Sequence, residues 1–390
     1  MESLEFILVA NGPGELSALV KPIVEKLRER SSKKVPIRTT LFLTPCQFSS
    51  GKEEQFVKTL GLDQVVTAEE YRKWILGMAL NRDLKLKYRG VVLYLGGDLL
   101  HAVLIAKKLG YKVYAYLHGQ KAGWKSVFSK FFVQNEKSER ELVKAGIKPE
   151  RIQIAGDLML NSINPLPKST AIEKWKLSSK KPIIAFLPGS RGWEIDFMVP
   201  FYETIGMELK QIIPGIQLIM IVSPFTSIEE VEIKLKDNVF DLLAPLNSVS
   251  AADLAVTIPG TNTAQIATAG IPLLSLFPIN QIKDIPLEGF LNYLTKVPLL
   301  GAAIKRLVAE ITIKRNKFFA IPNIKAKKMI HPELNGNLTP EQVVEKIISI
   351  LNNQDQLKEM EKQLKKIMGE SNAADIITRE IINENIPAPV

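Results

Sequence analysis

Apolar residues along this chain fall into two successive series of the same kind. In each, short β-like runs alternate with stretches whose apolar positions recur at helical spacing. That alternation predicts right-handed βαβ units and parallel sheets. The first series places strands at Phe6–Ala10, Ile37–Thr44, Gly90–Leu95, Lys112–Leu117, 131–133 and 152–155. Between them, Leu16, Leu19, Val20, Ile23, Val24 and Leu27 share one face of a helix over Leu16–Arg30, and Leu99–Leu109 forms another. A polar stretch with two prolines, Asn164-Pro165-Leu166-Pro167-Lys168-Ser169-Thr170, then reads as a linker. The second series has strands at Ile183–Leu187, Ile216–Val222, Leu254–Thr257 and Leu273–Leu276. Thr339-Pro340-Glu341-Gln342 is a helix start, with a hydroxyl N-cap and an early proline. Helices over 341–352, 356–368 and 373–383 complete the chain.

With 390 residues, 46 % of them hydrophobic, two folded domains with separate cores are expected. The fold class is α/β: two doubly wound, parallel-sheet, Rossmann-like domains with C-terminal helices. The expected boundaries are 1–165 for the first domain, 166–181 for the linker, 182–368 for the second domain and 369–390 for a final helix returning to the first.

Cys46 is the single cysteine, which excludes an intrachain disulfide and fits a reducing compartment. One cysteine with three histidines argues against a zinc cluster. Met1-Glu2-Ser3-Leu4-Glu5 is acidic where a secretory leader is basic, and no apolar stretch reaches the ~18–20 residues of a spanning helix. A cytoplasmic protein, free or peripheral on the inner membrane face, is the expectation. The net charge of +10 suits an anionic membrane or phosphorylated ligands. Nucleic acid is disfavoured, because no recognition motif accompanies the basic residues.

Candidate chemistry begins at Phe186-Leu187-Pro188-Gly189-Ser190-Arg191-Gly192-Trp193-Glu194. A strand breaks into a tight turn and a helix follows, so backbone N–H groups and a helix dipole converge. Arg191 adds a bidentate fork for phosphate oxygens. A second strand-end turn, Ile258-Pro259-Gly260-Thr261-Asn262-Thr263-Ala264-Gln265, offers hydroxyls and an amide. Neighbouring parallel strands would present both turns on one sheet edge. Taken singly, each turn is equally well an ordinary helix cap. In the first series, Asp98 follows Gly96-Gly97 at the end of a strand, where a carboxylate can act as a general base or simply cap the next helix. Asn11, Gly14 and Glu15 sit at the first strand end, and His118 at another. His101 falls inside a helix and reads as structural.

The motifs Leu187-Pro188-Gly189-Ser190-Arg191-Gly192-Trp193-Glu194 and Gly260-Thr261-Asn262-Thr263-Ala264-Gln265 through Gly270-Ile271-Pro272 resemble the lipid-A-disaccharide synthase family. So do Ile321-Pro322-Asn323, Pro332-Glu333-Leu334 and Thr339-Pro340, in the same order. Asn11-Gly12-Pro13-Gly14-Glu15-Leu16 and Ala155-Gly156-Asp157-Leu158-Met159 match more loosely. The resemblance implies a GT-B glycosyltransferase with a UDP-sugar on the second domain and a lipid acceptor on the first. It implies an inverting transfer of an acylated glucosamine, with neither metal nor cofactor. On the donor side it implies Gly189, Ser190, Arg191, Glu194, Gly260, Thr261, Asn262, Thr263, Gln265 and Asn323. Asp98 and Glu15 become the candidate catalytic carboxylates, with Asn11, Gly14 and His118 on the acceptor side. The chain departs from the pattern at Leu95 and Leu100, where the family has Asp and Asn, and at Gln265, where it has Glu. The stretch 286–319, apolar and flanked by Lys305, Arg306, Lys314, Arg315 and Lys317, suits the interface of an anionic membrane. Rival readings are another glycolipid glycosyltransferase, a UDP-sugar 2-epimerase, and a non-catalytic sugar-nucleotide or lipid binder.

Overall fold

Near-continuous runs of apolar and β-branched residues form strands that are buried on both faces when helices cover a parallel sheet. In the computed structural model, which describes residues 3–32, 36–45, 51–80, 82–117, 123–278 and 316–386, two such sheets occur. The first contains β1 (Leu4–Ala10), β2 (Ile37–Leu43), β3 (Gln64–Val66), β4 (Gly90–Tyr94), β5 (Lys112–Leu117), β6 (Lys130–Val133) and β7 (Ile152–Ile154). The second contains β8 (Ile183–Leu187), β9 (Gln217–Ile221), β10 (Leu242–Ala244), β11 (Leu254–Thr257), β12 (Leu273–Pro278) and β13 (Glu333–Gly336). All pairs are parallel. Their orders are β3-β2-β1-β4-β5-β6-β7 and β10-β9-β8-β11-β12-β13. Each sheet therefore reverses its winding at one place, between β1 and β4 or between β8 and β11, and ligands bind such sheets at the carboxyl ends of those strands.

Two compact units result, one of residues 1–162 with 370–390 and one of residues 163–369. The stretch 166–181 falls within the second unit. It contains a helix, Lys168–Lys174, and is tied into the second unit by Leu166 N–H donating to Ser250 Oγ (3.2 Å) and by the Lys168–Asp253 ion pair. In the first unit, Phe42, Tyr71, Phe128 and Phe131 fill the core on one face of the sheet. In the second, Phe186 packs against Tyr202 and Phe240. The final helix, Ala373–Asn385, lies in the first unit. There Arg30 pairs with Asp375 (2.6 Å), and Lys130 with Glu380 (2.6 Å) and Glu384 (2.5 Å). Tyr114 Oη also donates to Glu384 (2.9 Å). The first helical segment is less regular than its periodicity suggests. Pro13–Glu15 runs into a π-turn over Leu16–Val20 before the α-helix Lys21–Arg30. Proline at position 22 cannot donate an i→i−4 bond, which accounts for the break in that ladder.

Candidate functional site

The strand ends at the first sheet's switch point are held together by one carboxylate. Glu15 Oε2 accepts from Gly12 N (2.8 Å) and Asn11 N (3.4 Å), and Oε1 accepts from Gly97 N (3.2 Å) across the switch point. Gly96 lies so close to Glu15 that a Cβ there would overlap it, and Gly97 adopts φ +85°, so both glycines are needed for the approach. Glu15 thus stabilises the turns through three backbone amides. Gly14 and Asn11 are half-buried in the same turn.

Asp98 is the exposed carboxylate of this edge. It is the N-cap of the helix Leu99–Leu109, its Oδ1 accepting from Leu100 N (2.8 Å). Among the described residues, Oδ2 has no hydrogen-bond donor within the protein. Buried aromatic hydroxyls surround the turn. Tyr94 Oη donates to Gly97 O (2.6 Å), and burial together with the Glu15 and Asp98 charges raises its pKa well above the usual phenol range. Tyr71 Oη lies 2.7 Å from His101 Nδ1; burial, with the Asp98 charge adding to it, pushes Tyr71 up to about 12. Tyr71 and His101 are contacts that sequence reasoning missed, since thirty positions separate them along the chain. His118 lies outside the described residues.

In the second unit the turn after β8 follows the same plan. Glu194 Oε2 accepts from Ser190 N (2.7 Å) and Arg191 N (3.0 Å), while Oε1 meets Arg191 Nη1 (3.0 Å). Gly189 has φ +107° and presses against Glu194, leaving no room for a Cβ. The expected anion cradle is therefore already lined by the protein's own carboxylate, and its first two amides are occupied. Arg191 remains at the surface with its side chain 43 % exposed.

The turn after β11 differs. Gly260, the N-cap of the helix Thr261–Thr268, has φ +139° and open space where a Cβ would stand. Thr261 and Asn262 flank it half-buried. Thr263 and Gln265 are buried. Thr263 Oγ1 donates to Gly260 O (2.7 Å) and accepts from Ile321 N (3.3 Å), fixing the turn to the helix Ile321–Ala326. Asn323 is fully buried. Its Nδ2 donates to His331 O (2.9 Å) and Glu333 Oε1 (2.7 Å), and its Oδ1 accepts from Ile330 N (2.8 Å) and His331 N (3.3 Å). Every donor and acceptor position of that amide is used, so Asn323 organises the β13 approach. Glu333, for which the sequence suggested no role, accepts from Phe319 N (2.9 Å) and Ala320 N (3.1 Å) and so caps the same helix. Its signal was the Pro-Glu-Leu motif. Among the described residues, no group of His, Cys, Asp and Glu has the arrangement of a metal site.

Residues 151–385 match the family model described as lipid-A-disaccharide synthetase. The chain is 24 % identical over 265 residues to the lipid-A-disaccharide synthase of Coxiella burnetii (strain Dugway 5J108-111), an alignment covering 65 % of this chain and 64 % of that protein. It is 26 % identical over 191 residues to the lipid-A-disaccharide synthase of Syntrophus aciditrophicus (strain SB), covering 46 % and 43 %. Among solved structures, a putative UDP-N-acetylglucosamine 2-epimerase from Listeria monocytogenes superimposes with a TM-score of 0.56 at 13 % identity, over 100 % of this chain and 99 % of that one. Another UDP-N-acetylglucosamine 2-epimerase gives 0.58 at 15 %, with the same coverage. At these identities the likeness is one of fold, the GT-B type.

Proposed function

Because the chain belongs to the lipid-A-disaccharide synthetase family, we propose that it is an inverting glycosyltransferase that moves an acylated glucosamine from a UDP donor to a membrane-lipid acceptor. The observation that carries the reading is the chemical contrast between the two switch points. One ends in the exposed carboxylate of Asp98, the other in Arg191 and the open Gly260 turn. Asp98 takes the proton of the acceptor hydroxyl as its oxygen attacks the anomeric carbon. The bond from that carbon to the diphosphate breaks, UDP leaves with the electron pair, and the configuration inverts. Arg191 and the Gly260-Thr261-Asn262 turn neutralise the departing diphosphate. Glu15, Glu194 and Asn323 act as positioning residues through the backbone they hold, and Gln265 contributes an uncharged hydrogen bond in place of a carboxylate.

The stretch 279–315, which contains most of the basic apolar run, lies outside the described residues. We assign it to docking on the anionic cytoplasmic leaflet, in keeping with a lipid acceptor. No described helix is long and apolar enough to cross a membrane. Salt-sensitive binding to anionic vesicles that is lost on replacing Leu299 and Leu300 with serine supports the docking. Binding that survives those changes in a folded protein refutes it.

The deciding experiment incubates the protein with a panel of UDP-sugars, with and without lipid extract, and follows UDP release. A transferase releases UDP only when the acceptor is present. A UDP-sugar interconverted without lipid would instead favour an epimerase, the activity named for the structural neighbours. Asp98→Asn should remove turnover while UDP still raises the melting temperature, and Arg191→Ala should remove most of that UDP-dependent rise. UDP binding without turnover in the wild type would leave a non-catalytic binder.

A further inference from the structure

Asp98 and His101 occupy the N-cap and third positions of the helix Leu99–Leu109, and His101 N–H donates to Asp98 O (3.1 Å). Side chains at these two positions stand side by side, which is why they form the reciprocal pair of a capping box. Here the third residue is an imidazole, and Asp98 bonds Leu100 N instead. The ring is anchored by a residue of another helix. Tyr71, 1 % exposed, lies in the helix Ala68–Ile75 and packs edge-on to Phe42. Its hydroxyl lies 2.7 Å from His101 Nδ1, and the two rings meet edge-to-face with centroids 5.2 Å apart. With Nδ1 committed to Tyr71, Nε2 is the ring's remaining nitrogen for proton exchange.

We propose that His101, held by Tyr71, is a positioning and charge-regulating residue for Asp98, so that the pair rather than the carboxylate alone sets the acid limit of turnover. The proposal rests on Asp98 being the base. Burial holds the ring's pKa below the usual imidazole range even though Asp98 pulls it upward, which favours the uncharged ring at neutral pH. An uncharged ring places no cation beside the Asp98 carboxylate. As the pH falls the ring takes a proton, and a cation beside the carboxylate makes it a weaker acceptor for the hydroxyl proton. Other charged groups act less directly. Glu15 and Asp98 both act on the buried Tyr94 hydroxyl, and Asp98 acts on that of Tyr71. Lys73, on the Tyr71 helix, is paired with Glu69, and Lys108, near the far end of the His101 helix, lies over the Trp74 ring.

Two measurements test the pair. The first needs no substrate: the ring of His101 is titrated by NMR in the wild type and in Asp98→Asn. Loss of the neighbouring carboxylate should lower the ring's midpoint by about half a pH unit or more. An unchanged midpoint overturns the coupling, whatever the protein's activity. The second is the pH profile of UDP release. His101→Gln should move the acid limb to lower pH with the donor KM unchanged. Tyr71→Phe, which frees and hydrates the ring, should move it to higher pH. A profile for a folded His101→Gln protein that superimposes on the wild type overturns the proposal, and His101→Asn gives the same reading if the glutamine variant fails to fold. Absence of turnover in every protein would instead sink the glycosyltransferase reading, leaving the ring titration to decide the pairing.

Discussion

Glu194→Ala should destabilise the second unit. The carboxylate is 6 % exposed and accepts from two backbone amides, at 2.7 and 3.0 Å. A hydrogen bond to a charged group contributes roughly 1.5–3 kcal/mol, but both amides lie near the surface, where water replaces part of the loss; about 1 kcal/mol each remains. Arg191 is too exposed for its ion pair to add more than about 0–1 kcal/mol. The total is about 2–3 kcal/mol, which at roughly 2–4 °C per kcal/mol for a unit of this size lowers the melting temperature by about 4–12 °C. Glu194→Gln keeps an acceptor oxygen for the amides and loses only the charge, so about half that drop is expected. Thermal melting followed by circular dichroism measures both. Pyrophosphate should restore part of the lost stability to Glu194→Ala, because the freed amides can then hold an anion in place of the carboxylate. If the alanine variant melts within about 1 °C of the wild type, the three hydrogen bonds do not hold this turn.

Lys130 is largely buried against Glu380 and Glu384; burial pulls its pKa down, and the two carboxylates outweigh that and leave it above the usual lysine value. Its contribution is therefore complete below the unfolded value of about 10.4 and fades as the pH rises through the higher folded value. Lys130→Met should cost about 1–2 kcal/mol near neutral pH and blunt the alkaline loss of stability seen in urea titrations. His331 is buried, which lowers its pKa to about 4. A depressed histidine stabilises the fold above about 6.5, and that contribution drains away as the pH falls toward the folded value. His331→Gln should accordingly show a smaller drop in melting temperature between pH 7 and pH 4.5 than the wild type, and an equal drop would place the acid sensitivity elsewhere.

The interior strands were legible because each is a continuous apolar run that no helix period explains. β3, β10 and β13 were not. All are edge strands of three or four residues, too short to show a pattern, and Glu333-Leu334-Asn335-Gly336 carries the Asn-Gly signal of a turn. Asp98 was readable as a strand-end carboxylate and helix cap, and it is one. The internal filling of the two glycine turns was harder to see. Arg191 and Glu194 stand in the spacing of a capping box, as Gly12 and Glu15 do, but neither N-cap is the usual Ser or Thr. Local pattern therefore suggested an empty anion cradle where a long-reaching glutamate occupies it. Tyr71 and His101 meet only because two helices flank adjacent parts of one sheet, and no local signal in the sequence encodes that.

The helix Ala373–Asn385 belongs to the first unit, yet the whole second unit lies between it and residue 162. During synthesis at about 5–20 residues per second, roughly 10–40 s separate the emergence of the first sheet from that of its last helix. Throughout that interval Arg30, Lys130 and Tyr114 lack Asp375, Glu380 and Glu384, and the apolar surface that receives Ile377 and Ile381 faces water. The second unit is continuous and meets no such delay. The nascent chain must therefore complete its second unit before its first, and a stop codon just after Gly369 would spare the later-made unit and leave the earlier-made one unfinished.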